Sequence, residues 1–118
     1  MSFQVDVWLR GSDVATTTTL ERVTGTPAAW GDDDVRVVLE EMLRAMHRLK
    51  SGDGDEIPVA LRGLSWIVNR FEDGGVVIAI EITLGAAVAG PFDIPQKALE
   101  GMIARVLSRS RAASPRVH

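Results

Sequence analysis

The chain has 118 residues, 46% of them hydrophobic and 25% charged, with a net charge of −3. That length suits one domain, which buries roughly two-thirds of its unfolded surface without a metal or cross-link. The lack of cysteine excludes disulfides, thiolate nucleophiles and sulfur-ligated metals, and no run of about 18 apolar residues is present to span a bilayer.

Residues 3–10 alternate, with Phe3, Val5, Val7 and Leu9 on one face and Gln4, Asp6, Trp8 and Arg10 on the other. This is the pattern of a half-buried strand. Gly11-Ser12 supplies a two-residue turn, and DVATTTTLERV beyond it is rich in β-formers. With that turn Val7 faces Thr16, Val5 faces Thr18 and Phe3 faces Leu20. Both strands of a first hairpin, 3–10 and 14–23, then direct their more apolar residues to one side. The threonines at 16–19 are a strand feature before they are a modification site.

Gly and Pro in residues 24–31 predict a loop. Asp32, Asp33 and Asp34 open a helix, one capping it and the others favoured by the positive end of its dipole. Val35, Val38, Leu39, Met42, Met46 and Leu49 recur on one helical face, and Glu40 and Arg44 form a favourable i,i+4 pair. The glycines and proline of SGDGDEIP end the helix near residue 50.

Residues 62–84 predict a second hairpin around Asp73-Gly74, the strongest short turn signal in the chain. A two-residue turn there pairs Phe71 with Val76, Ile67 with Ile80 and Ser65 with Ile82. One face then carries Ile67, Phe71, Val76, Ile78, Ile80, Ile82 and Leu84 and is assigned to the core. The other carries Leu64, Trp66, Val68, Arg70, Val77, Ala79, Glu81 and Thr83. A hairpin with one wet face alternates apolar and polar. This one is apolar on both faces, so its second face is expected to be covered. Gly85 marks a bulge or bend, beyond which AAVA either extends the strand or forms a short fifth one.

Asp93 is a natural N-cap for the last helix, with Pro95 in the first turn and Ala98, Leu99, Met102, Ile103 and Val106 as the buried stripe. The element order is ββαββα. The expected fold class is α+β, a two-layer sandwich with two amphipathic helices on one face of an antiparallel sheet. Residues 1–110 are expected to form a single domain and 111–118 a flexible basic C-terminal tail.

Charge divides unevenly along the chain. Residues 1–104 hold nine Lys/Arg against sixteen Asp/Glu, whereas 105–118 hold Arg105, Arg109, Arg111 and Arg116 and no acid. A basic tail on an acidic body admits a nucleic-acid contact. Arg105 and Arg109, however, fall in the last turns of a helix, where cations complement the dipole, and nucleic acid is the weaker reading. Eleven arginines against two lysines read as the coding bias of a GC-rich, bacterial genome. The first residues, MSFQVDVWLR, have neither the basic nor the apolar region of a signal peptide, so a cytoplasmic protein is expected, with no membrane partner.

Chemistry-bearing motifs are scarce. The histidines are His47, mid-helix among charged residues, and His118 at the end of the tail, and no G-x-S-x-G surrounds a serine. Asp32, Asp33 and Asp34 are adjacent and cannot converge on one ion from a regular helix. Asp53, Asp55 and Glu56 resemble the start of a calcium loop without its later Gly and Glu. Pro91 and Pro95 remove amide donors that a phosphate at the last helix needs. No catalytic residue, metal or cofactor is assigned.

Tryptophan on an uncovered sheet face forms an apolar patch unusual for a monomer. The expectation is therefore a protein that acts through self-association, most simply as a homodimer, or through another protein. The interface residues would be Trp8, Leu64, Trp66, Val68, Val77, Ala79 and Glu81. A small-molecule-binding or enzymatic domain with a pocket around Trp66 and Glu81 is the alternative.

Overall fold

The elements run ββαβββα in the computed structural model, which describes residues 2–52, 59–72 and 74–113. They are β1 (Gln4–Leu9), β2 (Thr16–Thr19), α1 (Asp32–Ser51), β3 (Ser65–Arg70), β4 (Val76–Ile82), β5 (Gly85–Phe92) and α2 (Gln96–Ala113), with a short 3-10 turn at Pro27–Ala29. All five strands form one antiparallel sheet in the order β2-β1-β5-β4-β3. Helix α1 packs over β1 and β5, α2 packs over β3, and the helices pack on each other. The architecture is the expected two-layer α+β sandwich with one strand more.

The first hairpin has the register its alternation predicts. Val7 pairs with Thr16 and Val5 with Thr18, and the Leu20 amide donates to the Phe3 carbonyl at 2.8 Å. Phe3, Val5, Val7 and Leu20 are all buried. The extra strand is β5, GAAVAGPF. Its Ala and Gly content gives it little strand preference of its own, but it is paired on both edges, by β1 and by β4. It thereby joins the two hairpins into one sheet. Ala87 and Ala89, both fully buried, keep the sheet low where α1 crosses it.

The second hairpin departs from expectation by one residue. The Phe71 amide donates to the Gly75 carbonyl and the Gly74 amide to the Phe71 carbonyl, which closes a three-residue loop with Gly74 at φ +107°. Such loops place a left-handed glycine at their end. Pairing follows as Trp66 with Ile80, Val68 with Ile78 and Arg70 with Val76. Because side chains alternate, a slip of one residue turns every side chain of a strand to the other face. Trp66 and Val68 therefore belong to the helix side, and Ile67, assigned to the core from the sequence, lies outside it at 52% exposure. Asp73, the other half of the turn signal, lies outside the described residues, as do Asp53, Asp55 and Glu56.

Helix α1 starts at Gly31, whose amide donates to Asp34 Oδ2 at 2.8 Å. The capping acid is thus the third of the three, reaching back from inside the helix. Helix α2 starts later than expected: its first backbone bond runs from the Leu99 amide to the Pro95 carbonyl, leaving Asp93 in the connection. It continues through Ala113, past the boundary expected at residue 110, and residues 114–118 lie outside the described part.

Between the layers, Leu39, Met42, Met46, Ile78, Ile80, Phe92, Leu99 and Ile103 are almost wholly buried. At one end Phe3, Trp30 and Phe92 meet edge to face, with ring centroids 5.1 to 5.7 Å apart. Glu41 is the one charged side chain buried among the described residues. Its Oε2 lies 2.8 Å from Arg44 Nη1 and its Oε1 3.5 Å from Arg22 Nη1. This satisfies the carboxylate and ties the segment after β2 to α1.

Candidate functional site

Both helices lie on one face of the sheet, and none of the described elements covers the other. Three cross-strand rows make up this open face. Thr17, Asp6, Val88, Ala79 and Ile67 form the middle one, reading across the sheet from β2 to β3. Trp8, Ala86, Glu81 and Ser65 form the next. Gln4 and Thr19 lie on the far side of the middle row in β1 and β2, and Val77 and Asn69 in β4 and β3. The centre is apolar and built from small or branched side chains: Val77, Ala79, Ala86 and Val88. Trp8, 36% exposed, and Ile67 stand on either side of it. Thr17, Thr19, Gln4, Asn69 and Ser65 form a polar rim. Asp6 is turned toward β2, where the Thr17 hydroxyl donates to its Oδ1 at 2.5 Å.

Of the residues the sequence placed on this face, the structure brings Trp8, Val77, Ala79 and Glu81 together there. Leu64, Trp66 and Val68 do not join them. Val68 is 1% exposed, and Leu64 and Trp66 pack against the core. The cause is the one-residue register difference in β3. Trp66 and Glu81 thus have side chains on opposite faces of the sheet. Sequence reasoning missed Ile67, Ala86 and Val88. The polar neighbours Ser65 and Asn69 at two-residue spacing around Ile67 were the available signal for the first.

The open face is dented. Residues 65–67, 79–81 and Ala86 border a shallow depression of about 460 Å³. Ala79 and Ala86 leave its floor low, while Ile67 and Glu81 rise beside it. Glu81 is exposed, and Trp8 stands one strand away, paired with Ala86.

A second polar assembly lies between the helices. Asp32, at the start of α1, accepts from Arg105 Nε at 3.0 Å and Arg105 Nη2 at 3.1 Å, and its Oδ2 lies 2.9 Å from Arg109 Nη1. Two of the four C-terminal arginines therefore serve to clamp α2 to α1. The Arg105 hydrogen bonds lead the effects that hold the Asp32 carboxyl below its ordinary value of 3.8, with the charges of Arg105 and Arg109 adding to them. A depressed carboxyl stabilises the fold above its unfolded value, and that contribution disappears as pH falls through the folded one. Asp32→Asn is expected to lower the urea midpoint near neutral pH and to leave it unchanged at about pH 2. Equal losses at both values would assign the effect to packing and not to charge.

His47 is half-buried in the middle of α1. Among the described residues no three His, Cys, Asp or Glu side chains group as metal ligands, and no helix is long and apolar enough to cross a membrane. No family model matches this chain, and no curated protein or solved structure is significantly similar to it.

Proposed function

We propose that this chain acts by self-association, two copies packing their open sheet faces back to back. The observation that carries the reading is a sheet face with an apolar centre, a polar rim and none of the described elements over it. A specific interface has that anatomy, and apolar sheet faces pack at about 10 Å with strands within about 30° of parallel.

The strand order supports a second copy as the occupant. Five strands are arranged about β5 at the centre, with β1 and β4 flanking it and β2 and β3 at the edges. A two-fold axis running along β5, midway between two such sheets, lays β1 over the other copy's β4 and β2 over its β3. The face then covers itself completely. Five strands about 4.8 Å apart and about six residues long at 3.4 Å each make a face of roughly 24 by 20 Å. Two such faces amount to about 1,000 Å² before side-chain relief is counted, the lower bound for a specific interface.

Light scattering on the eluted protein at micromolar concentration is expected to give a mass near twice 12.8 kDa. Val88→Asp, which sets an unpaired charge in the apolar centre, is expected to weaken the dimer at least a hundredfold. Ala104→Asp, on the exposed side of α2, is expected to leave the mass unchanged. A monomeric native protein at tens of micromolar, or a Val88→Asp variant that still dimerises, would sink the reading.

A further inference from the structure

Trp8 is the largest side chain on the open face, and among the described residues its indole N–H makes no hydrogen bond. Buried indoles take a hydrogen-bond partner, so a dimer that covers Trp8 must provide one. The depression lies on the neighbouring strands. In the row Trp8, Ala86, Glu81, Ser65, it falls over Ala86 and Glu81, and it also takes in Ala79 and Ile67 from the next row.

We infer that this depression is the seat for Trp8 of a second copy, with the indole Nε1–H donating to Glu81. The inference rests on the self-association reading and names its contact. The two-fold axis along β5 exchanges β1 and β4 while preserving position along the strands. It therefore brings the second copy's Trp8 over β4 in the row that holds Glu81, and the reciprocal contact forms at the same time, as an isologous interface requires. Shape agrees. Alanine at 79 and 86 makes the hollow where a large ring arrives, whereas a sheet face of uniform Val and Ile has none. Hydrogen-bonding capacity agrees as well. Glu81 is the only acid in that row, and an indole N–H is a donor without charge that gives a carboxylate one hydrogen bond without a second ion.

Trp8 is 36% exposed in the single chain, so it is the exposed third of this side chain that a second copy would cover. One prediction discriminates this contact from a general apolar association. Sedimentation equilibrium is expected to show Trp8→Ala weakening the dimer a hundredfold or more. Trp8→Phe, which keeps a ring and removes the N–H, is expected to weaken it about tenfold or more. Glu81→Leu should weaken it similarly, and the Trp8→Phe/Glu81→Leu double variant no further than the worse single one, because both delete the same bond. On dilution of the native protein, tryptophan emission is expected to shift to the red as Trp8 is released, and Trp8→Phe should lose that shift.

The failures are distinct. A native dimer whose dissociation constant is unmoved by Trp8→Ala, or in which the Phe and Leu substitutions add, overturns the seat and leaves self-association standing. A native protein that is monomeric throughout overturns both. Trp8 is exposed and outside the core, so the variants fold, and an unchanged urea midpoint under monomeric conditions verifies it.

Discussion

Gly85→Ala is expected to lower stability by about 3 kcal/mol or more, a large loss for one methyl group. Gly85 sits at the corner where β4 turns into β5, paired with Ile82 on one side and Leu9 on the other. The Arg10 amide also donates to the Leu84 carbonyl at 2.9 Å just beyond it. A Cβ at this position would overlap the Trp8 carbonyl oxygen and lie 2.9 Å from Leu9 Cα. Those atoms are backbone, so no side chain can rotate away. Relief requires β1 to move off β5, which surrenders the pairing that joins the two hairpins. Overpacking commonly costs about 1–3 kcal/mol and more where the surroundings cannot yield. Gly11→Ala is the control: its φ is also positive, at +87°, yet a Cβ there meets nothing within 4 Å. It carries only the backbone strain of about 1–2 kcal/mol. Urea midpoints compare the two, and equal losses would mean that Gly85 is needed for its backbone angle and not for the close approach.

The same corner shows how far the sequence was legible. The Gly11-Ser12 turn gives β1 and β2 their true register, and alternation of Phe3, Val5 and Val7 against Gln4, Asp6 and Trp8 leaves one choice of buried face. The helices were equally readable from their 3.6-residue stripes. Strand β5 was not, since an Ala- and Gly-rich segment has no pattern of its own and becomes a strand through the neighbours that pair with it. The second hairpin failed for a different reason. An Asp73-Gly74 pair predicts a two-residue turn, whereas the loop closes between Phe71 and Gly75. The side chains carry the contrary signal, the even-numbered set of Leu64, Trp66 and Val68 being more apolar than Ser65, Ile67 and Asn69.

The register of β3 alters the candidate site without removing it. With Trp66 and Val68 turned inward, the open face loses two large residues and gains Ile67, Ala86 and Val88. It becomes smaller in relief and more regular, an apolar centre of modest side chains with a single prominent ring beside it. In the proposed dimer, the arrangement of strands about β5 lets a second copy cover this face.

Phe92→Ala is expected to cost about 3–5 kcal/mol. Phe92 closes β5, is fully buried, and makes the two shorter contacts of the aromatic triangle, 5.2 Å to the Phe3 ring and 5.1 Å to the Trp30 ring by centroid. Its removal leaves a cavity beside Phe3, just before β1, and beside the loop that carries Trp30. Edge-to-face contacts worth about 0.5–1.5 kcal/mol each are lost with it. A domain of this length has a total stability of roughly 6–18 kcal/mol, so the variant loses a large fraction of it. Trp30 supplies an internal reporter. Its Nε1–H donates to the Thr24 carbonyl at 3.0 Å, and with Phe92 gone the indole gains water on one side and its emission shifts to the red before global unfolding. Phe92→Leu, which keeps most of the volume, is expected to lose less than half as much, and Phe71→Ala, at a position already 42% exposed, less than about 1 kcal/mol. A Phe92→Ala midpoint close to that of Phe71→Ala would show that the aromatic cluster is not what anchors the end of β5 to the helix layer.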